Sequence, residues 1–348
     1  MHRKFLCVLK LVIGLALLVG TAATASGEEF YKGKTIYFIV GLPPGGGYDT
    51  YTRAVARHIG KYIPGNPASI VQNMTGGLSL VSANYIYNRA KPDGLTVGVW
   101  NSVHVLAQVL GDRAVNFKSD KFGWIGAPSK GYPTCGIMGF TGLKTLKDVL
   151  DSKMPIKMGA IAPGSQTFDL PRILNLTLGT RFDVISGYDG TRRIHIALQI
   201  REVDGACWGW ESMRTTARSM LDASGDDKLI PFITYGDSQD PEVKDLHRFN
   251  KVIKGEENLA ILNAWLRPYD FQRPLMLPPG TPKERLSILR KAYKATLEDP
   301  KFLAEAKRSN LVIDYVSGEE IEKLVDEMLA ISPKTKAKLQ FLVSEKEK

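Results

Sequence analysis

The sequence predicts an α/β protein of two domains, each built on a doubly wound sheet. The chain has 348 residues, which is too long for one ordinary domain. Its composition, with 44% hydrophobic and 24% charged residues, is that of a globular protein. Apolar runs of strand length repeatedly precede a glycine-rich turn and a stretch with helical spacing, which is the order of βαβ units.

The N-terminus has the three-part pattern of a secretory signal peptide. A basic head, residues 1–4, precedes an apolar run, and Ala23-Thr24-Ala25 is an A-x-A cleavage site. The uninterrupted apolar stretch, 11–19, is far short of the ~20 residues that span a bilayer, which disfavours a membrane anchor. We therefore expect residues 1–25 to be removed near Ala25 and the protein to be exported, which in a bacterium means periplasmic.

The first half of the mature chain alternates strands and helices. Residues 35–40 form a continuous apolar run, as in a strand buried on both faces. The turn 41–47 follows, and then a helical stripe that reaches Tyr62. The elements predicted after it are strands at 69–72, 95–100 and 122–125 and helices at 78–89 and 103–110.

A second series of strands and helices begins near residue 132. Its predicted strands are 134–138, 156–160, 182–185, 205–208 and 229–233, and its predicted helices are 146–151, 166–178, 192–200 and 211–221. Pro171 is expected to bend or delay the second of these helices. Thr281-Pro282-Lys283-Glu284 and Ser317-Gly318-Glu319-Glu320 match helix capping boxes, so two late helices should begin there.

The net charge and the cysteines do not by themselves indicate a function. There are 46 basic and 36 acidic residues, a formal net charge of +10, and several lysines cluster at the C-terminus, as on a solvated surface. Cys135 and Cys207 lie in short apolar segments beyond the signal peptide. An oxidising compartment permits a disulfide between them. Two buried free thiols are the alternative, because spacing alone does not show that two strands are neighbours.

Four glycine-rich turns, 42–49, 75–77, 163–167 and 186–190, stand between a strand and a helix. In an open α/β sheet such turns lie at the carboxyl ends of strands, where ligands bind. A helix N-terminus offers free N–H groups to an anion. Several such turns would make a carboxylate or phosphate site with no charged side chain, although one glycine turn alone is weak evidence.

The sequence lacks the motifs that are typical of nucleotide binding and of common types of catalysis. The first turn matches neither the phosphate-loop pattern nor G-x-G-x-x-G, and there is no G-x-S-x-G, H-E-x-x-H or C-x-x-C. The five histidines are scattered. We therefore expect no enzyme activity, no cofactor, no bound metal and no nucleic-acid partner.

Several segments carry a family resemblance. Residues 30–36, then Gly41-Leu42-Pro43-Pro44-Gly45-Gly46-Gly47-Tyr48-Asp49 and Arg53, form one motif, and 71–77, 91–98 and 277–282 form three more. Together they resemble the Bug family, the substrate-binding proteins of tripartite tricarboxylate transporters. The resemblance implies a two-lobed periplasmic binding protein that closes on a small organic carboxylate like a flytrap. It implies transient docking to integral-membrane transporter subunits, and we expect a monomer.

The resemblance also implies how the lobes and the site are composed. Lobe 1 would contain 26–128 and 270–348 and lobe 2 would contain 129–269, with hinge crossings near 127–131 and 267–274. The ligand-binding residues carried over by motif are Pro44, Gly45, Gly46, Gly47, Tyr48, Thr75, Gly76, Gly77, Asn101, Ser102, Gly164, Ser165, Gln166, Ser186, Gly187, Tyr188 and Asp189. Trp208 joins them if aromatic side chains line the cleft, and an aromatic or flat acid would then fit. Core packing is the alternative for Trp208, and Asp49 is expected to be structural in the first turn of its helix.

Two other functions stay open at this point. One is an exported enzyme acting on a similar acid, with Asp189, His104 or Glu211 as acid or base. The other is a sensor that presents the bound acid to a membrane signalling partner.

Overall fold

The computed structural model describes residues 30–238 and 240–343. The predicted signal peptide and the lysines at 346 and 348 lie outside these residues. The described chain divides into two compact units. The first contains 30–101, Ala114–Pro128 and Arg273–Glu322, and the second contains Ser102–Arg113, Ser129–Gln272 and 323–343.

Strands and helices follow one another along both units. In chain order, the strands are β1 (Thr35–Val40), β2 (Ala68–Asn73), β3 (Thr96–Val99), β4 (Gly123–Ala127), β5 (Pro133–Met138), β6 (Ile156–Gly159), β7 (Phe182–Ile185), β8 (Gly205–Gly209), β9 (Leu229–Thr234), β10 (His247–Arg248), β11 (Leu275–Leu277) and β12 (Val316–Ser317). The helices are α1 (Gly47–Ile59), α2 (Leu80–Asn88), α3 (Val103–Leu110), α4 (Leu146–Asp151), α5 (Gln166–Leu178), α6 (Thr191–Gln199), α7 (Trp210–Thr216), α8 (Arg218–Asp222), α9 (Phe249–Val252), α10 (Glu256–Leu266), α11 (Lys283–Glu298), α12 (Pro300–Arg308), α13 (Gly318–Leu329) and α14 (Pro333–Leu342).

The first unit is built on a mixed sheet with strand order β12-β4-β11-β3-β1-β2. Strand β1 is parallel to both β2 and β3, whereas β11 is antiparallel to β3 and β4. Alternate residues of β1, such as Phe38, enter one apolar core with Val55 of α1 and Leu289 of α11. Because β1, β2 and β3 run in one direction, their carboxyl ends lie at one edge of the sheet.

The second unit is built on a mixed sheet with strand order β10-β9-β5-β8-β6-β7. Strands β6, β7 and β8 are parallel to one another, and β5 is antiparallel to β8 and β9. Cys135 on β5 lies opposite Cys207 on β8, and the two form a disulfide. The disulfide is therefore the alternative that the structure supports. Both half-cystines are fully buried.

The predicted strands and helices of both series are present, except that the helix predicted at 211–221 is divided at Ala217 into α7 and α8. Further corrections lie near the C-terminal end. Strands β10, β11 and β12 were not predicted, because two or three residues carry no periodic signal. The predicted cap Thr281 is wrong: α11 begins after Pro282, and the Thr281 hydroxyl donates instead to the Pro278 carbonyl at 2.8 Å. The predicted cap Ser317 is confirmed, since its Oγ accepts the Glu320 N–H at 3.1 Å.

Two further helices bear on the sequence predictions. Helix α5 begins at Gln166 and continues through Pro171, so the proline does not delay its start. Helix α3 packs against α14, which also packs against α10 and α5. This packing groups 102–113 and 323–343 with the second unit, whereas the sequence prediction put both in lobe 1. The lobe boundaries stay a prediction.

In the part of the chain that the structure describes, we find no helix with the length and apolar character to cross a bilayer.

Candidate functional site

The first candidate turn links β1 to α1. Residues 43–47 are exposed, and Gly46 is the N-cap of α1 with no side-chain capping hydrogen bond. Gly45 has φ +78°, a left-handed conformation that costs other residues about 1–2 kcal/mol. The turn therefore presents backbone rather than side chain to its surroundings, with the positive end of the α1 dipole behind it.

A buried carboxylate holds this turn in place. Asp49 is only 3% exposed. It accepts hydrogen bonds from Gly45 N, Arg53 Nε and Asn73 Nδ2, each at 2.9 Å. Burial alone would raise the pKa of Asp49, but these hydrogen bonds outweigh burial and lower its pKa to about 2. Asp49 is thus ionised and structural, as predicted from the sequence.

The second predicted turn and the loop after β3 lie beside the first turn. Asn73 ends β2 and also donates to the Leu42 carbonyl at 2.9 Å, which ties the start of the second turn to the first. Residues 75–77 are exposed and lead into a short 3₁₀ turn. At its end, the buried Ser79 accepts the Asn101 N–H at 2.8 Å. The structure therefore brings the predicted residues of the first unit together, from Pro44 to Asn101.

Ser102 belongs to the second unit and is fully buried. Its hydroxyl donates to the Pro268 carbonyl at 2.6 Å and accepts from Gln272 Nε2 at 3.1 Å. These contacts give Ser102 a structural role at the start of α3. Its part in ligand binding stays a prediction.

Arg273 is a charged residue beside the first turn that was not predicted from the sequence. Its guanidinium carbon lies 4.6 Å from the centre of the Tyr51 ring and 5.6 Å from that of Tyr48. A Cβ added to Gly47 would lie 3.4 Å from Arg273 Nε, so the guanidinium flanks the first residue of α1. Burial raises the pKa of Tyr48 to about 12, against the opposing charge of Arg273. No local sequence signal links residues so far apart in the chain.

The second unit carries its own glycine turn, between β6 and α5. Gly164 has φ +82°, close to the value at Gly45. Ser165 is the N-cap of α5, but its hydroxyl donates to the Ala162 carbonyl at 2.5 Å instead of capping the helix. The fourth turn is joined to this region, because Gly187 N donates to Ile161 O at 3.0 Å. The structure therefore brings the predicted turns 164–166 and 186–189 together within the second unit.

Asp169 holds the turn of the second unit, a role that was not predicted from the sequence. It is 3% exposed and accepts the Gly164 N–H at 3.0 Å and Trp265 Nε1–H at 3.3 Å. Burial raises the pKa of Asp169 to about 7, although the two hydrogen bonds and the charge of Arg172 oppose it. The sequence did contain a pattern that could have predicted this role, because an acidic residue closely follows the glycine turn, as Asp49 does in the first unit.

Aromatic side chains near β8 pack within the second unit. Trp208 is 3% exposed and its ring lies 5.3 Å from that of His195, which fits the core-packing alternative. The Tyr188 hydroxyl donates a hydrogen bond to the Glu202 carboxylate at 2.9 Å.

The described residues contain no group of three or more His, Cys, Asp or Glu side chains that could hold a metal ion.

Comparison with known proteins gives the fold. No protein-family model and no curated protein matches the sequence. A TctC solute-binding protein from Polaromonas, solved without ligand, matches with a TM-score of 0.68 at 18% identity, covering 90% of this chain and 99% of that one. The chain has the fold of periplasmic solute-binding proteins.

Two further structures support this binding-protein fold. MatC from Rhodopseudomonas palustris, with bound malate, matches with a TM-score of 0.60 at 18% identity, over 89% of this chain and 99% of that chain. The periplasmic binding protein BugD matches with a TM-score of 0.61 at 18% identity, over 90% and 98%. The predicted fold class is confirmed.

Proposed function

We propose that this protein is a periplasmic solute-binding protein that captures a small organic carboxylate and delivers it to a membrane transporter of the tripartite tricarboxylate type. The observation that carries the proposal is the pair of glycine turns. Each follows a parallel strand, leads into a helix and is tied by a buried aspartate to the N–H of a glycine with positive φ. Two preformed backbone turns at helix N-termini suit anions.

Electrostatics favours a carboxylate over a neutral solute. The positive ends of α1 and α5 lie behind the two turns, and each is worth up to about 1 kcal/mol to an exposed anion. Arg273 adds a full positive charge beside the first turn, which attracts an anion. Malate is a natural first candidate, because MatC holds malate on a similar fold.

The proposal assigns binding and no catalysis. Three groups were considered from the sequence as acid or base. His104 is 6% exposed on α3, Asp189 is exposed on the fourth turn, and Glu211 is half-buried on α7. Structures of the same fold that resemble this chain include a solute-binding protein and a periplasmic binding protein. Docking to transporter subunits and action as a monomer belong to the same proposal.

Thermal melting of the mature protein against malate, succinate, citrate and benzoate tests this function. An acid that binds only the folded state stabilises it by ~2.7 kcal/mol at a hundredfold excess over its dissociation constant. We expect a clear rise in melting temperature with at least one acid. Succinamide, which has the shape of succinate without its charge, is the matched control and should give no shift.

Two results would contradict the proposal. One is a flat response to every acid from a protein that also releases no acid when it is unfolded. The other is conversion of a bound acid to product during incubation, which would make the protein an enzyme.

A further inference from the structure

The two units use the same device to order their turns. In each, a proline precedes the glycine with positive φ, and an aspartate early in the next helix accepts that glycine's N–H. The hydrogen bonds are 2.9 Å long at Asp49 and 3.0 Å at Asp169, and both aspartates are 3% exposed. Neither carboxylate is placed to contact solvent freely, so both act through the backbone that they hold.

The two aspartates differ in what compensates their charge. Asp49 forms an ion pair with Arg53, one helical turn along α1, and accepts an amide N–H from Asn73. Asp169 accepts its second hydrogen bond from the neutral indole of Trp265 on α10. A buried carboxylate that relies on neutral donors is far easier to protonate than one with an arginine partner.

The elements packed around Asp169 determine what compensates its charge. Helix α5 packs against α10, α14, β6, β7 and β8. Of these elements, α10 brings Trp265 to the carboxylate, and the charged group that acts on it is Arg172, from α5 itself. Arg172 is the weakest of the influences on Asp169, after burial and the two hydrogen bonds.

We propose that Asp169 is a positioning residue for the turn of the second unit, and that uptake of a proton by its carboxylate weakens its hold on one of the two groups that it positions. The ionised carboxylate accepts both the Gly164 N–H and the Trp265 indole N–H. Once protonated, one carboxyl oxygen carries a hydrogen and becomes a weaker acceptor, so the N–H group bonded to that oxygen is held less firmly. The first turn lacks this response, because Asp49 stays ionised beside Arg53.

The turn matters for binding only if the proposed function is right, but the test itself needs no ligand and can be read independently of that function. The Gly164 amide and the Trp265 indole resonances of the mature, ligand-free protein are followed from pH 5 to pH 9. We expect both to titrate with one midpoint near the pKa of about 7 that burial gives Asp169. Failure of every acid to bind, with no acid released on unfolding, would overturn the proposed function and leave this titration unaffected.

Three variants make the result specific. In Asp169→Asn, which keeps an acceptor oxygen for Gly164, both resonances should stop titrating. Trp265→Phe removes a donor to the ionised form, so the Gly164 midpoint should move to higher pH. Asp49→Asn, in the other unit, should leave the titration unchanged. Resonances that stay flat in the wild type, or a titration that persists in Asp169→Asn, would overturn the inference.

Discussion

Replacing Cys135 and Cys207 together by alanine is expected to lower the free energy of unfolding by about 4 kcal/mol. The disulfide closes a loop across a sequence separation of 72 residues, and a cross-link of that length removes much conformational freedom from the unfolded chain. It also joins β5 to β8 at directly opposed positions in the middle of the sheet of the second unit.

Urea unfolding measures this effect. The double alanine variant should unfold at a much lower urea concentration than the oxidised wild type, and reduction of the wild type should produce a similar loss. The single variants Cys135→Ala and Cys207→Ala should resemble the double variant, because either one breaks the bond. Equal midpoints for the oxidised wild type and the double variant would show that the disulfide does not stabilise the fold.

Replacing Asp49 by alanine is expected to destabilise the protein by about 3 kcal/mol and to weaken binding of an acid at the first turn. The change leaves Gly45 N–H, Arg53 and Asn73 without the carboxylate that they share. Loss of one partner from a buried charged network typically costs about 3–5 kcal/mol, and the partial exposure of Arg53 places the cost at the lower end. The control is Asp183→Ala on β7, an exposed site where we expect a change within about 0.5 kcal/mol.

The contribution of Asp49 should also depend on pH. Its pKa is lowered to about 2 in the folded protein, against ~3.9 in an unfolded chain. A lowered pKa stabilises the fold above the unfolded value, so this stabilisation, about 2.5 kcal/mol, is present at neutral pH and is lost as the pH falls from about 4 towards 2. Urea unfolding at several pH values should show the loss in the wild type and not in Asp49→Ala. Parallel curves for the two proteins would contradict the assigned role.

Local patterns were enough to predict most strands and turns. The run Thr35–Val40 and the glycine-rich turn after it predict a strand followed by a turn, because a buried parallel strand and a tight turn each have a strong local signal. The positions of the turns at the carboxyl ends of strands followed from the βαβ order. The two cysteines could be paired only once β5 and β8 were known to be neighbours.

Features set by contacts between distant residues could not be predicted. Strand β11 has three residues and exists because β3 and β4 lie on either side of it. The guanidinium of Arg273 lies beside the first turn, although the two are far apart in the sequence. Asp169 depends on Trp265, which lies on another helix, although its place after a glycine turn resembles that of Asp49 and could have been noticed.

Carboxylate capture is tested most directly at the backbone amides of the two turns. The acid that raises the melting temperature is titrated into isotopically labelled mature protein, and the amide resonances of 45–47 and 164–166 are followed. We predict that both sets shift along one saturation curve and that the acid is recovered unchanged. Resonances in both turns that stay in place while the acid saturates another part of the protein would contradict the proposed site.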